Sequence, residues 1–480
     1  MTPQVRLTFF IALALSLGGC APDRWRAKTV ESASGEKSQI FAVNNVPFGN
    51  GMNVEKYRLS NGLKVIVVED PSAPVFAYHT WFNVGSRNER EGITGIAHLF
   101  EHLMFKETKN IKEGEFDRIL EEQGGKVNAA TYVDWTFYRE SLPRHAFDLI
   151  PKLEAERMQN MILNDHQVNS EREVVANERR FRTDNSPSGA MYEELYKLAY
   201  TKHPYSWPVI GWMKDIEAIS TKDCLEFHKT YYSPNNATVV VVGDVDTQKA
   251  LKLINEHYGP IPPSTIPPEN LPVEPPQTKE KRLALEKPVP ADKLLIAFHT
   301  PNALHPDYPV LEVAQAILFN GRSSRLFRKL VSDTQIAGGA GGWVNQVKDP
   351  GLYVIDVTMQ PKRTAAEAEK VVYAELKRLA AEEVPQKELD KAVNRLETSF
   401  WQNLRTADTK AQALGFYEVV AGDYRRLFDE VAAYRRVKPA DVKRVARVYF
   451  HPENRTVVTA KPQKNTKTNP KTKPKANPKT

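Results

Sequence analysis

Within Thr94-Gly-Ile-Ala-His-Leu-Phe-Glu-His-Leu-Met-Phe-Lys-Glu-Thr108, two histidines and a glutamate, His98, Glu101 and His102, stand at offsets of three and four. A helix of about 3.6 residues per turn returns all three to one azimuth, so two imidazoles and a carboxylate share a face. Such a face can hold Zn2+ and activate a water molecule. Leu99, Phe100, Leu103, Met104 and Phe105 are apolar, which predicts a largely buried helix whose polar trio must have partners. A metal supplies them. If Glu101 is kept as a base, two imidazoles are too few, because a catalytic zinc usually has three protein ligands beside an open position. Glu171 and Glu178, seven residues apart and near one azimuth of a second helix, offer the third.

The residues between these motifs make the pattern more specific. Lys126-Val-Asn128-Ala129-Ala-Thr131-Tyr-Val-Asp134-Trp-Thr136-Phe-Tyr138 follows Gly124-Gly125, and β-branched and aromatic residues from Thr131 to Tyr138 predict a strand. Together these segments resemble the pitrilysin-like zinc metallopeptidases, the inverzincin group that includes insulin-degrading enzyme and the mitochondrial processing peptidase. The ligand glutamate of that family falls here on Glu178, 76 residues after His102, and Glu171 matches an accessory glutamate. The resemblance implies His98, His102 and Glu178 as ligands of one Zn2+ per chain, with Glu101 as catalytic base. It also implies that Glu171 orients a ligand histidine, and that Asn128 and Ala129 lie on an edge strand that accepts peptide substrate. A peptide added to such an edge bonds through its backbone, which predicts broad specificity. A metal-free, peptidase-like scaffold or assembly lipoprotein is the competing class, and the zinc content of the purified protein separates the two.

The elements that must position these groups come in two sets. Gly259 to Pro276 holds eight prolines in eighteen residues, which excludes helix and central strand and predicts a semi-rigid linker. On either side the chain ends alike, at Tyr231-Tyr232-Ser-Pro234-Asn-Asn236-Ala-Thr238-Val-Val240 and Tyr449-Phe450-His-Pro452-Glu-Asn454-Arg-Thr456-Val-Val458, 218 residues apart. Strands such as 63–69 and 238–243 mix with amphipathic helices such as 145–160 and 365–382. The expected fold is therefore α+β: two homologous α/β sandwich halves, which the resemblance places in a clam-shell arrangement. The expected divisions are a signal peptide 1–19, a tether 20–47, a catalytic zinc-binding half 48–258, a linker 259–282, a non-catalytic half 283–460 and a disordered basic tail 461–480.

In the second half Glu312, Gln315 and Ala316 stand where the first has His98, Glu101 and His102, so no metal set is expected there. Asn320-Gly-Arg-Ser-Ser-Arg-Leu-Phe327 resembles a marked family segment that many active members follow with a substrate-holding arginine and tyrosine. Those places hold Val331 and Gly338, which predicts a related, non-zinc partner subunit supplying the missing function.

The ends address location. Arg6, the apolar run Leu7 to Leu17 and Leu17-Gly-Gly-Cys20 read as a signal peptide too short to span a bilayer, ending like a bacterial lipobox. Lipidation of Cys20 is expected, with Ala21 favouring the periplasmic face of the outer membrane. Cys224 is the other cysteine, so no intrachain disulfide is expected. Seven lysines in 461–480 equal the formal net charge of +7, so the basic balance is no argument for nucleic-acid binding. The tail reads as disordered, with attraction to anionic lipid or cell-wall polymer the other possibility. His79, His145, His166, His203, His228, His299, His305 and His451 lack ligand spacing and read as structural or surface residues. Gly338 to Gly342 lacks the Lys-Ser/Thr of a phosphate loop and reads as a turn into a strand.

Overall fold

The computed structural model describes residues 26–31, 37–49 and 51–463, so the expected signal peptide, Cys20 and residues 464–480 of the tail lie outside the described residues. β1 (Arg26–Glu31), β2 (Lys37–Gly49), β3 (Met52–Leu59), β4 (Lys64–Glu69), β5 (Val75–Phe82), β6 (Lys126–Thr131), β7 (Thr136–Pro143) and β8 (Ala237–Gly243) form one sheet, ordered β1-β2-β3-β4-β8-β5-β7-β6. β9 (Lys281–Lys287), β10 (Lys293–Thr300), β11 (Ala337–Val344), β12 (Gly351–Met359) and β13 (Arg455–Pro462) form a second, ordered β11-β12-β10-β13-β9. Pairing is antiparallel except between β4 and β8 and between β9 and β13. Neighbour by neighbour, β4-β8-β5-β7-β6 repeats as β9-β13-β10-β12-β11, so the halves are copies of one α/β sandwich.

Each half covers a sheet face of the other with helix. On one face of the first sheet, Val65, Val67, Val239 and Val241 pack beneath α1 (Ile96–Leu103), α2 (Glu115–Glu122), α3 (Ile150–Asn160) and α4 (Asp165–Arg179). On the other face, Ile66, Val68, Ala77 and Trp81 are covered by Phe400, Ala411 and Leu414 from the second half's helices Gln386–Asn403 and Ala407–Val420. In return α5 (Pro187–Ala199) lays Met191, Leu195 and Ala199 on Leu295, Ala297, Val354 and Val458 of the second sheet. Strands covered on both faces need side chains that are apolar throughout, which is why β4 and β8 read as continuous valine and isoleucine runs. Gly415 marks the closest approach, since a Cβ there would lie 2.1 Å from Trp81 Nε1. Polar ties reinforce the contact: Lys56 to Glu418 at 2.8 Å, and Asp408 to both His79 Nε2 at 3.0 Å and Arg139 at 2.7 Å.

Several sequence expectations shift. Residues 37–49, assigned mostly to a tether, form β2 along β3. β9 begins at Lys281, inside the expected linker, and β13 continues through Lys461 and Pro462, inside the expected tail. The linker also lies against the body: Glu274 accepts the backbone N–H groups of Thr201, Lys202 and His203 at 2.8–3.0 Å, and Glu269 pairs with Arg87 at 3.1 Å. The helix expected from 145 starts at Ile150, with Arg144–Leu149 in 3-10 form, because Pro151 lacks the N–H that a helix interior requires and suits a first turn. Gly338 to Gly342 is not a turn but part of β11, the edge strand of the second sheet.

Candidate metal centre

α1 is set by groups outside it. Gly95 precedes the helix at φ +92°, and a Cβ there would meet the Ile210 carbonyl at 2.5 Å, so only glycine fits. Gly95 has no side chain to cap the first turn. The buried Glu89 carboxylate does so instead, accepting the N–H groups of Gly95 and Ala97 at 2.9 Å each, while burial pushes its pKa well above the usual range. Tyr138 of β7 donates its hydroxyl to the Phe100 carbonyl at 3.0 Å, fastening α1 to the sheet. α4 starts at the Asn164 cap, which accepts the Gln167 N–H at 3.0 Å, and ends at Arg179, which donates to the Gly211 carbonyl at 2.8 Å. Gly211 also abuts Gly95, so a single loop registers the end of α4 against the start of α1.

Across these two helices the donors converge. Glu178 Oε2 lies 3.7 Å from His98 Nε2 and 3.4 Å from His102 Nε2, and the donor atoms of the trio lie within 4.8 Å of one another. Zinc bonds of roughly 2.0–2.1 Å in a tetrahedron separate ligand atoms by about 3.4 Å, so the separations from Glu178 need little adjustment. The donor set fits that ion. His102 Nδ1 faces Glu171 Oε2 at 3.4 Å, whereas the buried His98 Nδ1 has no hydrogen-bond partner among the described residues, so of the two rings Glu171 contacts that of His102. Burial, with His102 beside it, lowers the His98 pKa to about 4, leaving a neutral imidazole with a lone pair to give. Burial also disfavours charge on His102, but hydrogen bonds to Glu171 and Glu178 outweigh it and raise the pKa to about 9.

Glu101 stands apart from the trio, its Oε2 4.0 Å from His98 Nε2. Burial raises its pKa, opposed by hydrogen bonds from the Thr131 hydroxyl and backbone N–H at the end of β6. Thr131 joins the site, as does the capping Glu89, and spacing assigns a role to neither. Asn128 and Ala129 lie on β6, the last strand of its sheet, which among the described residues pairs with β7 alone and leaves its other edge open beside the donors. The strand expected from Thr131 to Tyr138 is instead a hairpin, turning at residues 132–135. There Asp134 accepts from Arg87 at 3.1 Å, Tyr205 at 2.6 Å and the Lys348 N–H at 2.9 Å, which holds the turn in place.

The second half shows the same frame without donors. Gln315, opposite Glu101, reaches the Gly342 carbonyl of edge strand β11 at 2.6 Å, and Glu312 accepts from Tyr308 at 3.1 Å. Among the described residues His98, His102 and Glu178 form the one group of three such donors that could hold a metal ion. Val331 packs against the second-half core, and Gly338 lies in β11. His79, His203, His228 and His299 are wholly or largely buried structural groups, and His145, His166 and His305 are exposed.

Comparison with known proteins agrees with this architecture. The description "Insulinase (Peptidase family M16)" matches residues 64–211, and "Peptidase M16 inactive domain" matches residues 218–396. The zinc protease PqqE of Helicobacter pylori is 35% identical over 436 residues, covering 88% of this chain and 98% of that one. A crystal structure of a protease from Helicobacter pylori superposes with a TM-score of 0.82 at 36% identity, over 85% of this chain and 99% of that one. The probable mitochondrial-processing peptidase subunit beta of Schizosaccharomyces pombe is 26% identical over 423 residues, 85% of this chain and 90% of that one. The chain belongs to the peptidase M16 family.

Proposed function

We propose that the protein is a zinc-dependent endopeptidase, a reading carried by the convergence of His98 Nε2, His102 Nε2 and Glu178 Oε2 beside the open edge of β6. His98, His102 and Glu178 would hold the ion. When bound, Zn2+ acidifies a water molecule and polarises the scissile carbonyl. Glu101, poised by Thr131 and made more basic by burial, accepts the water's proton and delivers it to the leaving amine. Glu171 keeps His102 in the tautomer that presents Nε2. The backbone of Asn128 and Ala129 aligns the peptide as an added strand.

Loss of an arginine and a tyrosine at Val331 and Gly338 supports pairing with a related, non-zinc subunit, and a relative named as a subunit is in keeping with that. Leu17-Gly-Gly-Cys20 supports lipid anchorage at the periplasmic face of the outer membrane, acting on peptides or unfolded segments of the envelope. The second reading, a metal-free scaffold, draws on the "inactive domain" match to residues 218–396. Metal analysis of the purified chain, together with cleavage of an internally quenched peptide with and without chelator, decides between them. Stoichiometric zinc and chelator-sensitive cleavage support the peptidase; zinc-free protein without cleavage supports the scaffold. Incorporation of labelled palmitate that Cys20→Ala abolishes is expected for the anchor.

A further inference from the structure

Two hairpin turns meet at the junction of the halves. The turn between β6 and β7 carries Asp134, and the connection between β11 and β12, the copy of that hairpin in the second half, carries Asp349. The two aspartates hold equivalent positions. Phe82 at the end of β5 pairs with Thr136, and Thr300 at the end of β10 pairs with Gly351, so each aspartate stands two residues before the matching partner. Arg87 joins them, giving Nη1 to Asp134 at 3.1 Å and Nη2 to Asp349 at 2.8 Å. The second half adds two more contacts to the first turn. The Lys348 N–H donates to Asp134 at 2.9 Å, and the Asn345 amide donates to the Tyr132 hydroxyl at 3.1 Å.

Tyr132, Val133 and Trp135 favour strand, so the shape of the first turn is imposed by the groups around it. The Tyr132 and Val133 carbonyls accept the Ser86 and Arg87 N–H groups at 3.2 and 2.9 Å. Gly85 permits that approach, since a Cβ there would lie 2.3 Å from the Tyr132 carbonyl oxygen. Thr131 immediately precedes the turn, and its hydroxyl and N–H donate to Glu101. A shift of the turn therefore shifts the donors that hold the base. Arg87 is buried, so its two charge-assisted bonds form in a setting that strengthens them.

We infer that Arg87 is a positioning residue for the Glu101 base, through which Asp349 of the second half holds the turn and Thr131 in place against α1. The inference rests on the peptidase reading and gives the second half a part in the chemistry beyond covering the sheet. A guanidinium fork reaches two carboxylates at once, whereas an ammonium is a single point of charge, so Arg87→Lys keeps the charge and loses the bridge. Asp349→Asn weakens the same bridge from its far side. That residue is partly exposed, and its replacement leaves Asp134 with Arg87, Tyr205 and the Lys348 N–H.

The test assays the zinc-loaded full chain, with any co-purified subunit, on an internally quenched peptide, and follows amide hydrogen exchange over 126–138 in the same preparations. In Asp349→Asn and Arg87→Lys, kcat is expected to fall by about tenfold while KM stays within about twofold, the mark of a misplaced reacting group. Exchange at 131–135 should rise by about tenfold while β4 and β8 keep their protection. Thr131→Val removes the hydroxyl end of the link, so adding Asp349→Asn to it should lower kcat further by no more than about threefold. Asp349→Asn reports even if Arg87→Lys fails to fold. An unchanged kcat, a loss carried by KM, unchanged exchange at 131–135, or exchange that rises equally in β4 and β8 overturns the inference. So does a full tenfold effect of Asp349→Asn on the Thr131→Val background. Should the wild type cut nothing while Asp349→Asn still loosens 131–135 alone, hydrolysis is refuted and the hold of the second half on Thr131 stands.

Discussion

His102 Nδ1 lies 3.4 Å from one oxygen of Glu171, and the other oxygen of the same carboxylate takes Lys106 Nζ at 2.7 Å. A carboxylate fixed at both oxygens cannot swing, so it locks the His102 ring with Nε2 turned to Glu178. Glu171→Ala is expected to weaken zinc binding by about 10- to 100-fold, the usual cost of losing such a support. Competition with a chromophoric chelator measures it, and an unchanged Kd would remove Glu171 from this role.

Glu101 lies outside the donor trio, so Glu101→Gln should retain zinc while kcat falls by roughly 10²- to 10⁴-fold. Thr131→Val removes a donor that holds the Glu101 pKa down against burial. A base works only when ionised, so activity is lost as pH falls through its pKa, and this variant should move the acid limb of the kcat/KM profile to higher pH. An acid limb that stays in place or moves down would refute the pairing.

Glu89 satisfies two N–H groups at the start of α1. Glu89→Ala leaves both unpaired in a buried setting and should cost on the order of 1–3 kcal/mol, read from urea denaturation, with Glu89→Gln milder.

Gly415→Ala drives a methyl group into Trp81, whose ring is stacked on Phe137 at 4.3 Å and has no room to yield. A destabilisation of about 1–3 kcal/mol is expected. Wild-type melting behaviour in this variant would show that the helix Ala407–Val420 can shift on the sheet.

Glu312 tests the second half. Burial pushes its carboxyl from 4.5 up to about 7, against the hydrogen bond from Tyr308, with Glu430 adding to the rise. Between those two values the native state keeps a proton that the unfolded chain gives up, so stability falls as pH rises through the window. Glu312→Gln removes that slope and should gain on the wild type by on the order of 1–3 kcal/mol from pH 4.5 to 7.5. Parallel melting curves across that range would contradict it.

Much of this was legible in the chain because it depends on local geometry. Offsets of three and four place His98, Glu101 and His102 on one face whatever surrounds them, and the 218-residue repeat of Tyr-Tyr/Phe-x-Pro announces two copies of one sandwich. Glu178 became specific only by likeness to a family, since nothing local fixes how the 76 residues after His102 return. Glu89 was invisible for a related reason. It caps α1 from outside the helix, across a loop whose path depends on Gly95 meeting Gly211. The hairpin inside Lys126–Tyr138 was hidden because Tyr132, Val133 and Trp135 are good strand residues, and the turn is imposed by distant partners of Asp134. The exchange of helices could not be read at all, because an apolar helix face looks the same whichever sheet it covers.

That exchange makes each half an incomplete object. Separated from the other, either would present a broad, dry sheet face to water and carry a helix with nothing beneath it, the properties of an aggregation-prone fragment. The proline-rich segment 259–280 then acts less as a hinge than as a tether that keeps two mutually dependent pieces at high effective concentration. A chain cleaved within it should stay together as a non-covalent pair, the arrangement from which a fused duplication of this kind would have begun.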